Sequence, residues 1–441
     1  AVRRRVDRDH RAQVFDEPAA AVAALLAVSG GDGPLAVAAS WSGAPGRSSV
    51  EGLAFVLDSA AAEVAWLPVA VLGDPAVRDA VRATLGSRTI AAHPAKPILR
   101  TLLDADDAAP LPAIAIDTTL AAYLLDPAET RYSIEDVLAR YAHLELPAGT
   151  AAPSGQLDLG GDTVDVGLIT ARHALAVSRL VEPMLASLEA NGLRSLHDDI
   201  ETPLVAVLAE MEHVGVGVDR AELQSLNDRL TAEVAELAAA IQEDAGEPFN
   251  VNSTPQMRTI LFDKLGLTPS KKTKTGFSTD AASLEKMAGQ HPIIEHLLRY
   301  REVEKLRSTY GTGLLAEVGP DDRIHATFNQ TVARTGRLSS DAPNLHNIPV
   351  RSEQGKAFRK AFVPAPGREL LVADYNQIEL RCIAHLAEDP GLLAAFNAGD
   401  DIHTATAARV FHVDPADVDG GQRAKAKMVS YGLAYGMEAY G

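Results

Sequence analysis

Four groups of residues in this chain have the types and spacing to do chemistry. The first is Leu370-Leu371-Val372-Ala373-Asp374-Tyr375, four apolar residues that end on a carboxylate. Such a run predicts a short buried strand handing Asp374 to a cleft. The residues after it, with Ile378, Ile383 and Leu386 apolar, predict a helix packed back against that strand. A carboxylate fixed in this way suits Mg2+, whose octahedral oxygen shell tolerates little slack. An Asp that caps a helix after a core strand has the same local sequence. The second group is Arg423, Lys427, Tyr431 and Tyr435, spaced so that each step drifts about 40° around a helix and all four share one face. Two cations followed by two aromatic rings suit a triphosphate and then a base or sugar, although a generic basic amphipathic helix has the same pattern.

The third group lies in two pieces, Thr335-Gly336-Arg337-Leu338-Ser339-Ser340 and Pro343-Asn344-Leu345-His346-Asn347-Ile348-Pro349. This density of Gly, Pro, Ser and Asn predicts an ordered loop with many turns. Arg337, Asn344 and Asn347 have the reach to meet purine N3 and pyrimidine O2 in a minor groove. Those acceptors are common to all base pairs, so they report pair shape without sequence. The fourth group is Lys271, Lys272 and Lys274 in the segment 269–276, either a solvated loop or a tip that touches phosphate.

The elements that must position these groups follow from the patterns around them. A length of 441 residues allows about two to four domains with their own cores. Residues 1–195 alternate between strands (34–39, 53–57 and 63–69) and helices (76–85, 133–141 and 171–188), an α/β layer pattern. From 196 onward the pattern is helical. Asp219 followed by Glu222 reads as a capping box. Leu223, Leu226, Leu230, Val234, Leu237 and Ile241 then form one apolar stripe, predicting a long helix paired antiparallel with 204–211. Residues 300–310 read as a returning helix that carries Arg301, Lys305 and Arg307. Asp401-Ile402-His403-Thr404 opens a further helical region.

Composition narrows the class. Hydrophobic content of 46% fits a globular protein, no apolar run approaches the ~20 residues of a membrane span, and the N-terminal residues lack a signal-peptide core. The single cysteine, Cys382, excludes an internal disulfide framework, reads as small core filler, and fits a reducing cytoplasm. A net charge of −18 argues against a generally nucleic-acid-coated protein, but residues 331–368 hold seven Lys and Arg against two acids. Phosphate binding needs a local patch of that kind, not a basic protein.

Asp374-Tyr375-Asn376-Gln377-Ile378-Glu379-Leu380-Arg381 resembles motif A of the family A DNA polymerases, the bacterial polymerase I type. Asn376 stands where the pattern has Ser. The loop 335–349 resembles the family's Arg-Leu-Ser-Ser…Pro-Asn-Leu-Gln-Asn-Ile-Pro element, with His346 for Gln. The Arg423 series resembles motif B, with Tyr431 where many members have Phe. The resemblance runs through nearly the whole chain in order. It implies an α/β exonuclease-like (ribonuclease H-like) domain over 1–195, a helical thumb over 196–325 with its basic tip near 270–276, and an incomplete α+β palm and fingers. The palm would begin at 326–390 with motif A and the fingers at 391–441 with motif B.

The implied activity is template-directed addition of dNTPs to a primer 3′-hydroxyl by two-metal phosphoryl transfer, in DNA replication and repair. Asp374 would bind both Mg2+ ions with help from the Tyr375 carbonyl. Arg423, Lys427 and His403 would hold the triphosphate, and Lys427 would also protonate the pyrophosphate. Glu379 would pack under the sugar and reject a 2′-hydroxyl, and Gln377, Tyr431 and Tyr435 would complete the dNTP site. Arg337, Asn344, Asn347, Lys305, Arg301, Lys271, Lys272 and Lys274 would meet the primer-template duplex. The protein is expected to be a cytoplasmic monomer with no membrane partner.

Two departures qualify this. The exonuclease carboxylates are missing: the first strand reads Leu35-Ala36-Val37-Ala38-Ala39-Ser40 where an Asp-x-Glu pair belongs. Pro97 or Ile98 replaces a second Asp, and Leu168-Ile169-Thr170-Ala171-Arg172-His173 replaces a Tyr and Asp pair. Only Asp117 remains, and lone His93 and His173 read as packing or surface residues, so proofreading is expected to be absent. Motif C, with its His-Asp-Glu, is also missing. His197-Asp198-Asp199 lacks the flanking apolar strands and the final Glu. The second metal-binding Asp is therefore expected outside this chain, and the chain as written is expected not to polymerise. The alternative is a catalytically silent duplex DNA-binding fragment.

Overall fold

A computed structural model describes residues 4–5, 11–105, 110–146, 165–274, 276–349 and 353–437. It divides into two compact units, Ala1–Gly367 and Arg368–Gly441, each described by itself. No helix among the described residues is long and apolar enough to cross a membrane.

The first unit begins with a six-stranded sheet: β1 (Arg11–Val14), β2 (Leu35–Trp41), β3 (Val50–Asp58), β4 (Glu63–Pro68), β5 (Ile90–Ala92) and β6 (Ile114–Asp117). Its order is β1-β4-β3-β2-β5-β6. β2, β3 and β4 pair antiparallel in sequence, whereas β5 and β6 join β2 in parallel. Alternate residues of β2, β3 and β4 serve two cores, as the period of a strand requires. Leu35, Val37, Leu53, Phe55 and Leu67 face one cluster, which includes the helices Pro18–Ser29, Pro75–Ser87 and Lys96–Ala105. Ala36, Ala38, Ala54, Val56 and Trp66 face the other, built on the helix Val166–Ala190. With both faces covered, the central stretches Leu35–Ala39, Leu53–Leu57 and Val64–Leu67 are apolar throughout.

The long helix Arg220–Ala245 is present, and the Asp219 side chain accepts from the Glu222 amide at 3.0 Å. Leu223, Leu226, Leu230 and Ile241 are buried along its predicted stripe. Its packing partner differs from expectation. The helix packs against Pro292–Leu306, while Thr202–Val214, the expected partner, packs on β6 of the six-stranded sheet and the helix Lys96–Ala105. The apolar faces of both helices are ordinary core stripes, so spacing alone carries no pairing information. The lysine-rich tip is a ribbon and not an irregular loop: Lys272–Thr273 pairs antiparallel with Gly276–Phe277, and Thr275 lies outside the described residues.

The second unit contains four helices, Ile378–Ala387, Pro390–Ala398, Ile402–Phe411 and Gly420–Ala434. Asp389, Asp401 and Asp419 cap the last three, the last as a full capping box with Gln422. Here the sequence reading needs correction. Residues 370–373 form no strand, and Leu371 and Val372 are 93% and 91% exposed. A strand needs a hydrogen-bonding neighbour, and among the described residues none pairs with this run. The helix after it buries Leu380 and Ala384, while Ile378 and Leu386 are exposed, and Cys382 is exposed and not core filler.

Candidate functional site

The second unit gathers the motif residues around one carboxylate that the sequence reading left without a role, Asp401. Its Oδ1 accepts from the Gln377 side chain at 3.2 Å and from the His403 amide at 3.1 Å. Its Oδ2 accepts from Thr404 at 2.8 Å and from Arg423 Nε at 2.6 Å. Burial alone would raise this carboxyl, but the bonds from Arg423, Thr404 and the His403 amide outweigh it and hold the group well below the usual Asp range. The same bond raises the Arg423 guanidinium. Asp401 therefore ties the motif A turn to the motif B helix. Its signal in the sequence was an Asp one residue before Ile402-His403, which reads as a helix cap and nothing more.

Around this hub the other candidates take definite places. Asp374 and Tyr375 lie in an exposed extended segment, and Tyr375 is 81% exposed. Gln377 adopts the left-handed conformation (φ 54°) at the start of its helix, and Glu379 sits half-buried in the first turn. His403 is buried, with Nδ1 unpartnered among the described residues and its ring 5.8 Å from that of Tyr431. Burial lowers its pKa against the pull of Asp401, and the nearby charges of Arg423 and Lys427 lower it further. Lys427 projects from the exposed face, one turn after Arg423. Tyr431 is half-buried. Burial first, and then the negative fields of Glu379, Tyr435 and Asp374, raise its phenol, so it remains a protonated donor. Tyr435 falls just past the end of the helix and is 68% exposed.

An asparagine at 401 removes the charge but retains an oxygen able to cap a helix. On the sequence expectation that Arg423 holds a triphosphate, Asp401→Asn in the full-length protein is expected to raise KM for dNTP roughly tenfold, with a smaller change in kcat. The effect is modest because both ion-pair partners are partly exposed. Steady-state kinetics at saturating primed template checks this; a KM within twofold of wild type would mean that Arg423 needs no such partner.

In the first unit, Arg337, Asn344 and Asn347 are exposed on the loop beside the hairpin formed by Thr327–Asn329 and Ser339–Asp341. The Asn347 carbonyl accepts from the Tyr310 hydroxyl, which fixes the loop's far end. Lys271, Lys272 and Lys274 are exposed on the ribbon, and Lys305 is exposed on its helix. Arg301 is not with them. It turns inward, donating to the Thr279 carbonyl and lying 3.1 Å from Met257 Sδ, and burial lowers its pKa.

At the end of β6, Asp117 is buried and accepts from the amides of Ala95, Thr119 and Leu120 at 2.8, 2.9 and 3.1 Å. Those bonds make it a structural cap. His93 is inward too, bonded to Thr118 at 2.8 Å, and burial depresses its pKa to about 4, so its ring is neutral. His197 is fully buried against Asp198 and Thr202. Among the described residues no group of three or more His, Cys, Asp or Glu side chains is placed to hold a metal ion.

Residues 220–441 match the family model described as DNA polymerase family A. The chain is 44% identical over 334 residues to DNA polymerase I of Geobacillus stearothermophilus, covering 75% of this chain and 38% of that protein. It is 42% identical over 336 residues to DNA polymerase I of Mycobacterium tuberculosis (strain ATCC 25618 / H37Rv), covering 75% and 37%. This chain thus spans less than two-fifths of the length of these curated relatives. Among solved structures it is similar to the POL domain of Pol1 from M. smegmatis in complex with DNA primer-template and dNTP. That match has a TM-score of 0.82 and 35% identity, and covers 98% of this chain and 72% of that one. With the motif residues placed as described and half the sequence matching the family's own pattern, the chain belongs to DNA polymerase family A.

Proposed function

We propose that this chain serves template-directed DNA synthesis in replication and repair, with primer-template duplex and dNTPs as its partners. The observation that carries the reading is the cluster in the second unit. Asp401 holds Arg423 beside Lys427, while Tyr431 lies in the fields of Asp374 and Glu379. Cations thus precede an aromatic ring along one helix, with a carboxylate nearby. Arg423 and Lys427 bind the triphosphate, and Lys427 donates a proton to the departing pyrophosphate. Glu379 excludes a 2′-hydroxyl, and Tyr431 and Tyr435 bound the sugar and base. In the first unit, Arg337, Asn344 and Asn347 read the minor groove, while Lys305 and the ribbon lysines meet the backbone.

Mg2+ fits the donors available. The Asp374 carboxylate and the Tyr375 carbonyl are hard oxygens, and such an ion is commonly shared between one carboxylate and the substrate's phosphates. When bound, it supplies charge neutralisation at the transferring phosphoryl group. The reading also includes a cytoplasmic monomer.

The sheet order β4-β3-β2-β5-β6, antiparallel then parallel, supports an exonuclease-like (ribonuclease H-like) fold for the N-terminal domain. The strand where its Asp-x-Glu pair belongs reads Leu35-Ala36-Val37-Ala38-Ala39-Ser40, Pro97 or Ile98 stands where a further Asp belongs, and its one retained acid, Asp117, is occupied by three amides. We therefore read the domain as lacking nuclease activity.

One assay tests both parts. The full-length protein with Mg2+, dNTPs and primed template is expected to extend the primer according to template. With dNTPs withheld it is expected to leave a 3′-mismatched primer intact. Tight duplex binding without extension would favour a silent DNA-binding protein. Shortening of the mismatched primer that persists through rigorous purification would overturn the loss of nuclease.

A further inference from the structure

The N-terminal domain carries side chains that bond the main chain of the DNA-reading segment. Tyr123, on the helix Thr118–Leu125, is buried, yet its hydroxyl leaves its own domain. It donates to the Ala333 carbonyl at 2.7 Å and accepts from the Gly336 amide at 3.1 Å. Gly336 has φ +78°, a conformation that glycine adopts without strain, and its amide also reaches the Ala333 carbonyl at 3.3 Å. One phenol therefore fixes both ends of the turn that immediately precedes Arg337. Earlier in the segment, Lys96 donates to the Phe328 carbonyl, and buried Glu212 accepts from the Phe328 amide at 2.8 Å. Both main-chain groups of Phe328 are thus held from outside the segment.

We propose that Tyr123 is a positioning residue for Arg337, so that a domain without nuclease chemistry sets the aim of the polymerase's minor-groove contact. The turn Ala333-Arg334-Thr335-Gly336 is largely exposed and has little side-chain packing to hold it, and the phenol supplies the missing constraint from a helix. Hydrogen bonds of this kind are directional and, when buried, stronger than in water. The inference rests on the reading of Arg337 as a duplex contact.

A double-mutant cycle in the full-length protein tests it, measuring affinity for a primer-template duplex together with thermal melting. Tyr123→Phe retains the ring and is expected to weaken duplex binding about five- to tenfold, the size expected for losing two hydrogen bonds. Arg337→Ala is expected to weaken it at least as much. The double variant should match Arg337→Ala within about twofold, because Tyr123 acts only through that side chain. Tyr132→Phe is the control. Its ring packs on Tyr123, but its hydroxyl bonds Asp126 within its own domain, so binding should be unchanged. Gly336→Ala, which strains the same turn from the other side, should reproduce the coupled loss if Tyr123→Phe proves unstable. Additive losses, or a lower melting temperature with duplex affinity intact, would overturn the positioning role alone. An Arg337→Ala variant that binds like wild type would overturn the duplex contact and the positioning role with it.

Discussion

Replacing Asp374 by Ala in the full-length protein is expected to reduce primer extension more than a hundredfold while leaving duplex affinity within about twofold. Among the described residues the Asp374 carboxylate makes no hydrogen bond or ion pair, and it sits in an exposed segment. Its removal therefore breaks no contact that holds the fold, and the variant should melt like wild type. Its proposed work is confined to the moment of phosphoryl transfer, when an oxygen-bound cation offsets developing charge. The contacts proposed to bind the duplex lie in the other unit. A hundredfold loss corresponds to about 2.7 kcal/mol of transition-state stabilisation. Single-turnover extension beside equilibrium duplex binding checks the split. A variant that keeps more than about a hundredth of the wild-type rate would remove the metal role from Asp374.

The second large effect concerns Tyr431. With Phe at this position, only the nucleotide's own 3′-hydroxyl can supply a polar group beside its phosphate oxygens. A dideoxynucleotide would leave those oxygens unpaired, and sites that rely on a substrate hydroxyl reject analogues lacking it strongly. The Tyr431 phenol is one turn from Lys427, half-buried beside the His403 ring, and kept protonated by its surroundings. It is able to donate the same hydrogen bond. The wild-type protein is therefore expected to use ddTTP within about fivefold of dTTP, and Tyr431→Phe to discriminate by about a hundredfold or more. Competition between the two nucleotides on one template measures both ratios. Equal discrimination by the two proteins would place the hydroxyl elsewhere.

What the sequence disclosed, and what it did not, divides along the range of the interactions. The strands at 34–39 and 53–57 were legible because apolar residues there run without interruption, and the helix after Asp219 because its stripe repeats over about five turns. Leu370–Ala373 has the same local composition as a core strand yet forms none, because pairing is decided by a neighbour that no local pattern encodes. The helix Thr202–Val214 was assigned to the wrong companion for the same reason.

At the site, the motif residues announced themselves by type and spacing. Asp401 and Tyr123 did not. Their partners lie 22 and 210 residues away, and each alone looks like a cap or a core aromatic. Arg301 shows the converse: a cation on a helix facing DNA in sequence terms, but folded inward around Thr279.

The buried acid on the helix Thr202–Val214 bears on how such a protein can be shortened. Glu212 is 2% exposed and paired with Lys96 and Arg100, both contributed by the N-terminal domain. A cut made at the apparent seam near residue 195 would take away both cations together with the surface that Val205 and Ala209 lean on. The remnant would keep a carboxylate evolved to be counter-charged and dry, now facing water beside an uncovered apolar stripe. The N-terminal domain is thus indispensable to its neighbour whatever its own chemistry, because the neighbour's pattern of charge and solvent exclusion is built around its presence.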